Sequence, residues 1–433
     1  MTSGKKKKVK YQSPPGKVVR SFKTELNPND KERSLLVQST GAGRWAYNWG
    51  LARKTEFYWN TGKRLSAIDL HRELNELKKL PVEEGGVPWL YEVSKCAPQE
   101  ALRNLDKAMS NFFQRCREGA KKKGFPKFKS RKRGIGSFTL TGTISVQETS
   151  IQLPNLGTIR LKESNYLPTS GVRILKATVS EKAGRWFVSV QVEMDQPALK
   201  PLPHHVIGVD VGISHLAVTS DGEVFENPKA LRATEKKLRQ LNKSVSRKRK
   251  GSNNRKKAAV KLARQHYRVS NIRKDTIHKA TSAITKQAST IVIESLNISG
   301  MMKNRKLSKA MADAGLGEFH RQLTYKVGRS GGQLIRADRF FPSSKTCSKC
   351  GAVKDDLTLS DRTFRCSECG LTIDRDLNAA INLKKLAASY AVSACCPGSS
   401  GCGLNDTTKL LVGQAPNTID SQSGIDGSVL DNG

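Results

Sequence analysis

The chain has 433 residues, more than one ordinary hydrophobic core organises, so roughly two to four domains are expected. Its 76 lysines and arginines face 38 acidic residues, a formal charge of +38 whose natural partner is a polyanion, and nucleic acid is the expected one. A membrane is the weaker rival, because no run of about 18 apolar residues is present to span a bilayer, and the basic Lys5 to Lys8 lacks the apolar core of a signal peptide.

In chain order, residues 1–40 hold a basic arm and a segment with strand character around Val18 to Phe22. Ser39 to Asn60 is rich in aromatics, among them Trp45, Tyr47, Trp49 and Trp59. From Ser94 onward Leu102, Leu105, Met109, Phe112 and Cys116 recur at three-or-four spacing and predict a helix. Pro98 sits where a first turn tolerates it. A helical insert over 41–123 is expected, running on through a basic loop to residue 133. In that loop Gly124 and Pro126 break the helix, while Phe125 and Phe128 interleave with Lys121, Lys122, Lys123, Lys127, Lys129 and Arg131. Cations alternating with aromatics pair phosphate contacts with stacking. The plainer alternative is a solvated loop whose phenylalanines tuck into the core.

Residues 137–194 turn β-rich, with strands expected at Thr139 to Val146, Thr158 to Leu161, Ile174 to Val179 and Trp186 to Val192 and a turn at Lys182 to Gly184. A small barrel is expected, left through Pro201 and Pro203. From 205 the order becomes strand, turn, strand, long helices, strand, helix and strand, with a hairpin at Ser220-Asp221-Gly222. Ala230 to Asp275 predicts two helices broken at Gly251 to Asn254. They carry Arg247, Lys248, Arg249, Lys250, Arg255, Lys256 and Lys257, a further expected phosphate-binding surface. Beyond about 390 periodicity is lost and a disordered tail is expected, its Cys395, Cys396 and Cys402 read as free thiols.

Two constellations carry chemistry. Cys347-x2-Cys350-x15-Cys366-x2-Cys369 fits a tetrahedral four-thiolate zinc site, structural because the closed shell leaves no position for a substrate. Gly351 and Gly370 follow each pair, where the knuckle favours a residue tolerant of positive φ. Nine cysteines in a reducing cytosol favour metal over disulfides. The second constellation is three carboxylates beside apolar runs: Asp210, placed mid-strand with Gly208 and Gly212 leaving room for a ligand; Glu294, closing the strand Ile291-Val292-Ile293; and Asp374 or Asp376 before a helix. Each alone has a structural explanation as a cap or turn residue. Together they resemble an RNase H-like nuclease site, where carboxylates hold two Mg²⁺ or Mn²⁺ ions for phosphodiester hydrolysis.

The motifs Gly43-Arg-Trp-Ala-Tyr-Asn-Trp49, Gly124-Phe-Pro-Lys-Phe-Lys129, Gly208-Val-Asp-Val-Gly212, Ile293-Glu-Ser-Leu-Asn297, the cysteine knuckles and Asp374-Arg-Asp-Leu-Asn-Ala-Ala-Ile-Asn382 resemble the TnpB (OrfB) family of insertion-sequence nucleases, relatives of type V CRISPR effectors. The likeness covers nearly the whole chain. It implies an RNA-guided DNA endonuclease with Asp210, Glu294 and Asp376 as catalytic, metal-holding acids and Arg362 assisting. Asp376 is chosen over Asp374 because the family's acid lies in Asp-x-Asn-Ala/Gly-Ala. The implied fold class is α/β plus β-barrel: an RNase H-like (RuvC) domain, a wedge barrel, a helical recognition insert and a zinc ribbon. The corresponding boundaries are 1–40 arm and wedge, 41–133 recognition insert, 134–203 wedge, 204–343 RuvC, 344–370 zinc ribbon, 371–389 RuvC and 390–433 tail. Implied partners are a guide RNA (omega RNA) and double-stranded target DNA beside a short motif, read around Tyr47 and Asn48. A monomer in the prokaryotic cytoplasm, at the nucleoid when on target, is expected. The alternatives are a miniature CRISPR effector, a guided binder with weak cleavage, and a non-catalytic zinc-ribbon RNA-binding protein.

Overall fold

The computed structural model of the chain describes residues 14–199, 201–358 and 361–395. Two compact units emerge, one within residues 1–198 and 251–264, the other within 199–250 and 265–433.

The first unit opens with strand β1 (Lys17–Leu26), followed by helices α1 (Asp30–Thr61), α2 (Ala67–Leu77) and α3 (Cys96–Arg117). Helix α1 begins at Asp30 rather than near residue 41, because Asn29 and Glu32 form a reciprocal capping box. The three helices bury Leu51, Leu70, Leu74, Leu102 and Leu105 against one another. The chain then forms β2 (Ser137–Leu140), β3 (Ser145–Val146), β4 (Ser150–Leu153), β5 (Gly157–Arg160), β6 (Val172–Lys182) and β7 (Arg185–Asp195). They are hydrogen-bonded as two antiparallel sheets, ordered β1-β7-β6-β2 and β3-β4-β5, with an isolated bridge between Leu26 and Leu161. Val188, Val190 and Val192 alternate into the shared core with Ile151, Ile159 and Val179. The strand expected over Thr139 to Val146 is split, since Gly142 takes a φ of 99° between β2 and β3. Strand β4 escaped notice because four residues give too short an alternation to separate from a loop.

The second unit contains β8 (Val206–Asp210), β9 (His215–Thr219), β10 (Val224–Glu226), α4 (Ala230–Ser246) and, from Gln265 onward, helix α5 (Asn253–Gln287). After these come β11 (Thr290–Glu294), α6 (Ile298–Met301), α7 (Ser308–Ala314), α8 (Leu316–Ser330) and β12 (Gln333–Ala337). The hairpin β13 (Thr363–Arg365) and β14 (Thr372–Asp374) and helix α9 (Arg375–Cys395) complete it. One sheet runs β10-β9-β8-β11-β12, with β8, β11 and β12 parallel and β9 and β10 antiparallel. Ile291 and Ile293 face α5 and α8 through Ile284, Phe319 and Leu323, while Val292 faces α9 through Leu383. Helices therefore cover both faces, as near-continuous apolar parallel strands require.

Three expectations are corrected by the fold. Asp210 is the last residue of β8, not its middle: pairing to β9 stops at Asp210–Val218 and pairing to β11 at Val209–Ile293. And Gly208 admits no ligand. A Cβ there would lie 2.0 Å from the Ala380 carbonyl oxygen and 2.5 Å from the Lys384 nitrogen, so the backbone of α9 itself fills the space. Helix α9 also runs to Cys395, past the boundary expected near 390. Lys5 to Lys8, Cys396 and Cys402 lie outside the described residues.

Gly208→Ala should therefore force α9 off the sheet and destabilise the protein by about 3 kcal/mol, an overpacking cost without a flexible neighbour to absorb it. Chemical denaturation compared with Gly212→Ala, whose Cβ would meet nothing closer than 3.2 Å, checks this.

Candidate active site

Adjacent parallel strands end on the same edge of a sheet, where α/β folds bind their ligands. Asp210 and Glu294 are the final residues of β8 and β11, and Asp376 stands in the first turn of α9, the helix lying on β8. Glu294 and Asp376 each lie close enough to Asp210 for their charges to act on it. Burial, then the charges of Glu294 and Asp376, push the Asp210 carboxyl well above its ordinary range, against the opposing charge of Arg375 and a hydrogen bond from the Val211 N–H.

Each neighbour has a defined partner. The Ser343 hydroxyl donates to Oε1 of Glu294. The Arg375 guanidinium lies 3.4 Å from Oδ1 of Asp376, and Nδ1 of His215 lies 3.6 Å from its Oδ2, beyond ordinary hydrogen-bond reach. That buried Nδ1 has no hydrogen-bond partner among the described residues. Asp374 accepts the N–H groups of Asp376 and Leu377 at 2.9 and 3.0 Å and so caps α9, leaving Asp376 for the site. Arg362 takes part through its carbonyl, which accepts from the Arg375 N–H at 2.8 Å; the guanidinium touching a carboxylate belongs to Arg375. Three clustered acids against one guanidinium form an all-oxygen donor set suited to a hard divalent cation.

Arg375, His215 and Ser343 were not found from sequence. Arg375 adjoins Asp376, a proximity that could have singled it out. His215 and Ser343 reach the site only by way of a strand pairing and a loop return, which leave no local signature.

The four cysteine sulfurs lie within 4.8 Å of one another, with Cys347–Cys369 at 3.6 Å and Cys350–Cys366 at 3.5 Å. Tetrahedral zinc–thiolate bonds of about 2.3 Å call for sulfur–sulfur edges of about 3.8 Å, so the donor set fits that ion. Gly351 and Gly370 adopt φ of 84° and 69°. Phe364 is fully buried beneath the knuckles. Asn378 donates to the Thr346 carbonyl and accepts the Ser348 N–H, and Asn382 donates to the carbonyls of Ser343 and Thr346. The helix that carries Asp376 thus also holds the start of the first knuckle.

The basic residues divide by circumstance. Lys121, Lys122, Lys123, Lys127, Arg131, Arg247, Arg249, Lys250, Lys256 and Lys257 are exposed, and Arg255 is half-buried. Lys248 turns back to donate to the carbonyl and hydroxyl of Ser244. Lys129 places its ammonium 4.1 Å over the Tyr47 ring, and the desolvation there lowers its pKa. Asn48 clamps the Lys129 backbone, donating to its carbonyl at 2.9 Å and accepting its N–H at 2.7 Å. Tyr47 and Asn48, where motif reading was expected, are thus engaged in fastening the basic loop to α1. Phe125 packs edge-on against Phe112 yet stays exposed, as does Phe128, so neither ring is tucked into the core.

Family profiles match three stretches: "Probable transposase" over 189–305, "Cas12f1-like, TNB domain" over 317–383, and "Helix-turn-helix domain" over 18–63, residues that here form β1 and the single 32-residue helix α1. A Streptomyces pristinaespiralis protein described as "Putative RNA-guided DNA endonuclease" is 38% identical over 390 residues, covering 88% of this chain and 92% of its own. "Putative RNA-guided DNA endonuclease InsQ" of Escherichia coli K12 is 33% identical over 395 residues, covering 88% and 94%. Among solved structures, "Structure of the mini-RNA-guided endonuclease CRISPR-Cas_phi3" aligns over 87% of this chain and 93% of that one, with a TM-score of 0.48 and 9% identity.

A carboxyl whose pKa is raised on folding contributes stability that is complete below its unfolded value and is lost as pH rises through the raised one. Without divalent cations the protein should therefore lose stability toward neutral pH, and Asp210→Asn should remove that loss and raise the neutral-pH Tm. Thermal melts in chelator across pH, for parent and variant, check the sign; added Mg²⁺ should stabilise the parent more than the variant.

Proposed function

The chain belongs to the TnpB (OrfB) family of transposon-encoded RNA-guided DNA endonucleases, and we propose that Asp210, Glu294 and Asp376 are the carboxylates with which it cuts. The observation that carries this reading is their meeting at one sheet edge, where Asp210 feels the charges of the other two. These residues would hold two divalent ions, Mg²⁺ or Mn²⁺, which when bound supply an activated water and stabilise the leaving oxygen of in-line hydrolysis. Asp210 must lose its proton to serve as a ligand, and a cation that offsets its neighbours makes this favourable. Ser343 orients Glu294, and Arg375 holds Asp376 and tempers the repulsion between the acids.

The remaining parts take roles around that centre. The cysteine quartet is read as a structural zinc site in a ribbon that handles the target, the β-rich module as the wedge, and α1 to α3 as the recognition insert. Guide RNA and the target duplex lie along the exposed lysines and arginines of the 121–131 loop and the 247–257 turn, with the duplex's sequence read by base pairing rather than by side chains. That division of labour suits a chain so basic and so poor in evident base-reading groups. No described helix is long and apolar enough to cross a membrane. A monomer acting in the prokaryotic cytoplasm at the nucleoid fits this role.

Purification with the transcripts of its own locus should recover a discrete RNA ending in a variable guide. With that RNA, Asp210→Ala, Glu294→Ala and Asp376→Ala should each slow cleavage of a matched duplex by about 100-fold or more while guide binding is unchanged; a variant that cuts like the parent removes its residue from the assignment. Cys347→Ser should eliminate bound zinc in elemental analysis and weaken cleavage more than guide binding, since Asn378 and Asn382 tie the first knuckle to the helix bearing Asp376.

A further inference from the structure

Glu294 pairs in register with Ala337, the last residue of β12, so the chain leaving β12 starts out beside Glu294. It turns at once. The Phe341 N–H donates to the Asp338 carbonyl at 3.2 Å, the Ser343 N–H to the Phe341 carbonyl at 2.8 Å, and the Phe340 N–H to Oδ1 of Asp338 at 2.8 Å. The far end of the turn is anchored on the site itself by the bond from Ser343 to Glu294, while Phe341 packs on Val292, Ala337 and Leu383. Of two consecutive phenylalanines, one is thus drawn into the core. The other, Phe340, is 83% exposed, the most exposed large apolar side chain among the described residues. Hydration opposes that position, and yet the ring stands in solvent on a hydrogen-bonded turn. The Arg339 guanidinium lies 5.5 Å from the ring centroid, so an apolar π face and a positive charge are presented together.

We propose that Phe340 is a stacking platform for an unpaired base of the DNA strand entering the carboxylate site, with Arg339 meeting its phosphate. The proposal rests on the reading of Asp210, Glu294 and Asp376 as the nuclease centre. Sites for single strands combine an aromatic face with a cation, because every base has a π face and every nucleotide a phosphate. A flexible strand must also be fixed in orientation before its phosphodiester can meet the carboxylates in line, and a base stacked beside Glu294 supplies that orientation. A paired base has no free face to offer, so the platform favours a strand already opened from its duplex.

The test uses the full chain with its copurified guide RNA and a single-stranded DNA oligonucleotide carrying 2-aminopurine beside the cut position, with Ca²⁺ in place of Mg²⁺. The parent and Phe340→Trp should quench the fluorophore. Phe340→Ala and Phe340→Leu should not, and in Mg²⁺ both should raise KM for single-strand cleavage by about tenfold with a smaller change in kcat. Unchanged quenching and KM in Phe340→Ala overturn the proposal, as does Phe340→Leu behaving like Phe340→Trp. A shift from dimer to monomer in Phe340→Ala with quenching intact also overturns it, assigning the ring to a protein contact. The fluorescence needs no cleavage, so a parent that stacks the base but never cuts would sink the nuclease assignment and leave the platform standing.

Discussion

The backbone of α9 lies so close to β8 that the Ala380 carbonyl occupies the place where any side chain on residue 208 would begin. This contact sets the height and angle of the helix over the strand. Its first turn then delivers Asp376 to the end of β8, where Asp210 waits. The same helix presents Asn378 and Asn382 to the 343–348 segment, whose Ser343 bonds Glu294. Three acids from three elements are thus arranged by one close approach, which only a residue without a Cβ permits.

A chain of net charge +38 nevertheless keeps several carboxylates in its interior, each with work to do. The cluster around Asp210 is uncomfortable in its surroundings: half-buried at Asp210 and Glu294, buried at Asp376, like-charged, and opposed by the charge of Arg375. Asp313 is the contented counterpart, 5% exposed, accepting the N–H groups of Leu231 and Arg232 at the start of α4 and pairing with Arg273 at 3.1 Å. It anchors the basic α4 at its N-terminus, where a negative charge also suits the helix dipole. Asp313 thus ties helices together in the interior, while the lysines of the 121–131 loop stand exposed at the surface.

Much of the site was legible before any coordinates. The cysteine spacing is a local signal, since two short knuckles need only four thiols and two glycines, and the sulfurs do converge. The apolar runs before Asp210 and Glu294 are equally local, because strands buried on both faces are written as near-continuous Val and Ile, interrupted before Asp210 only by Gly208. The aromatics near Asn48 are a local signal too, but what that amide touches in the folded chain is not. An amide that looks available on a helix face turns out to grip the Lys129 backbone from 81 residues away. Arg362 was singled out by likeness; in the fold its carbonyl accepts from the Arg375 N–H, and a guanidinium beside Asp376 is that of Arg375, which was not singled out.

By itself the sequence determined which residues are apolar, that helices and hairpins follow one another in this order, that four thiols form one array, and that three acids stand beside strands. Those properties follow from periodicity, capping and turn chemistry acting over a few residues. Only the tertiary structure decided that the space beside Gly208 belongs to a helix rather than a ligand, and that Asp374 caps while Asp376 faces Asp210. It alone drew Phe341 into the core and left Phe340 in water. Each of these outcomes depends on which distant segment fills a given volume. Close packing settles that competition globally, and no local pattern records who wins it.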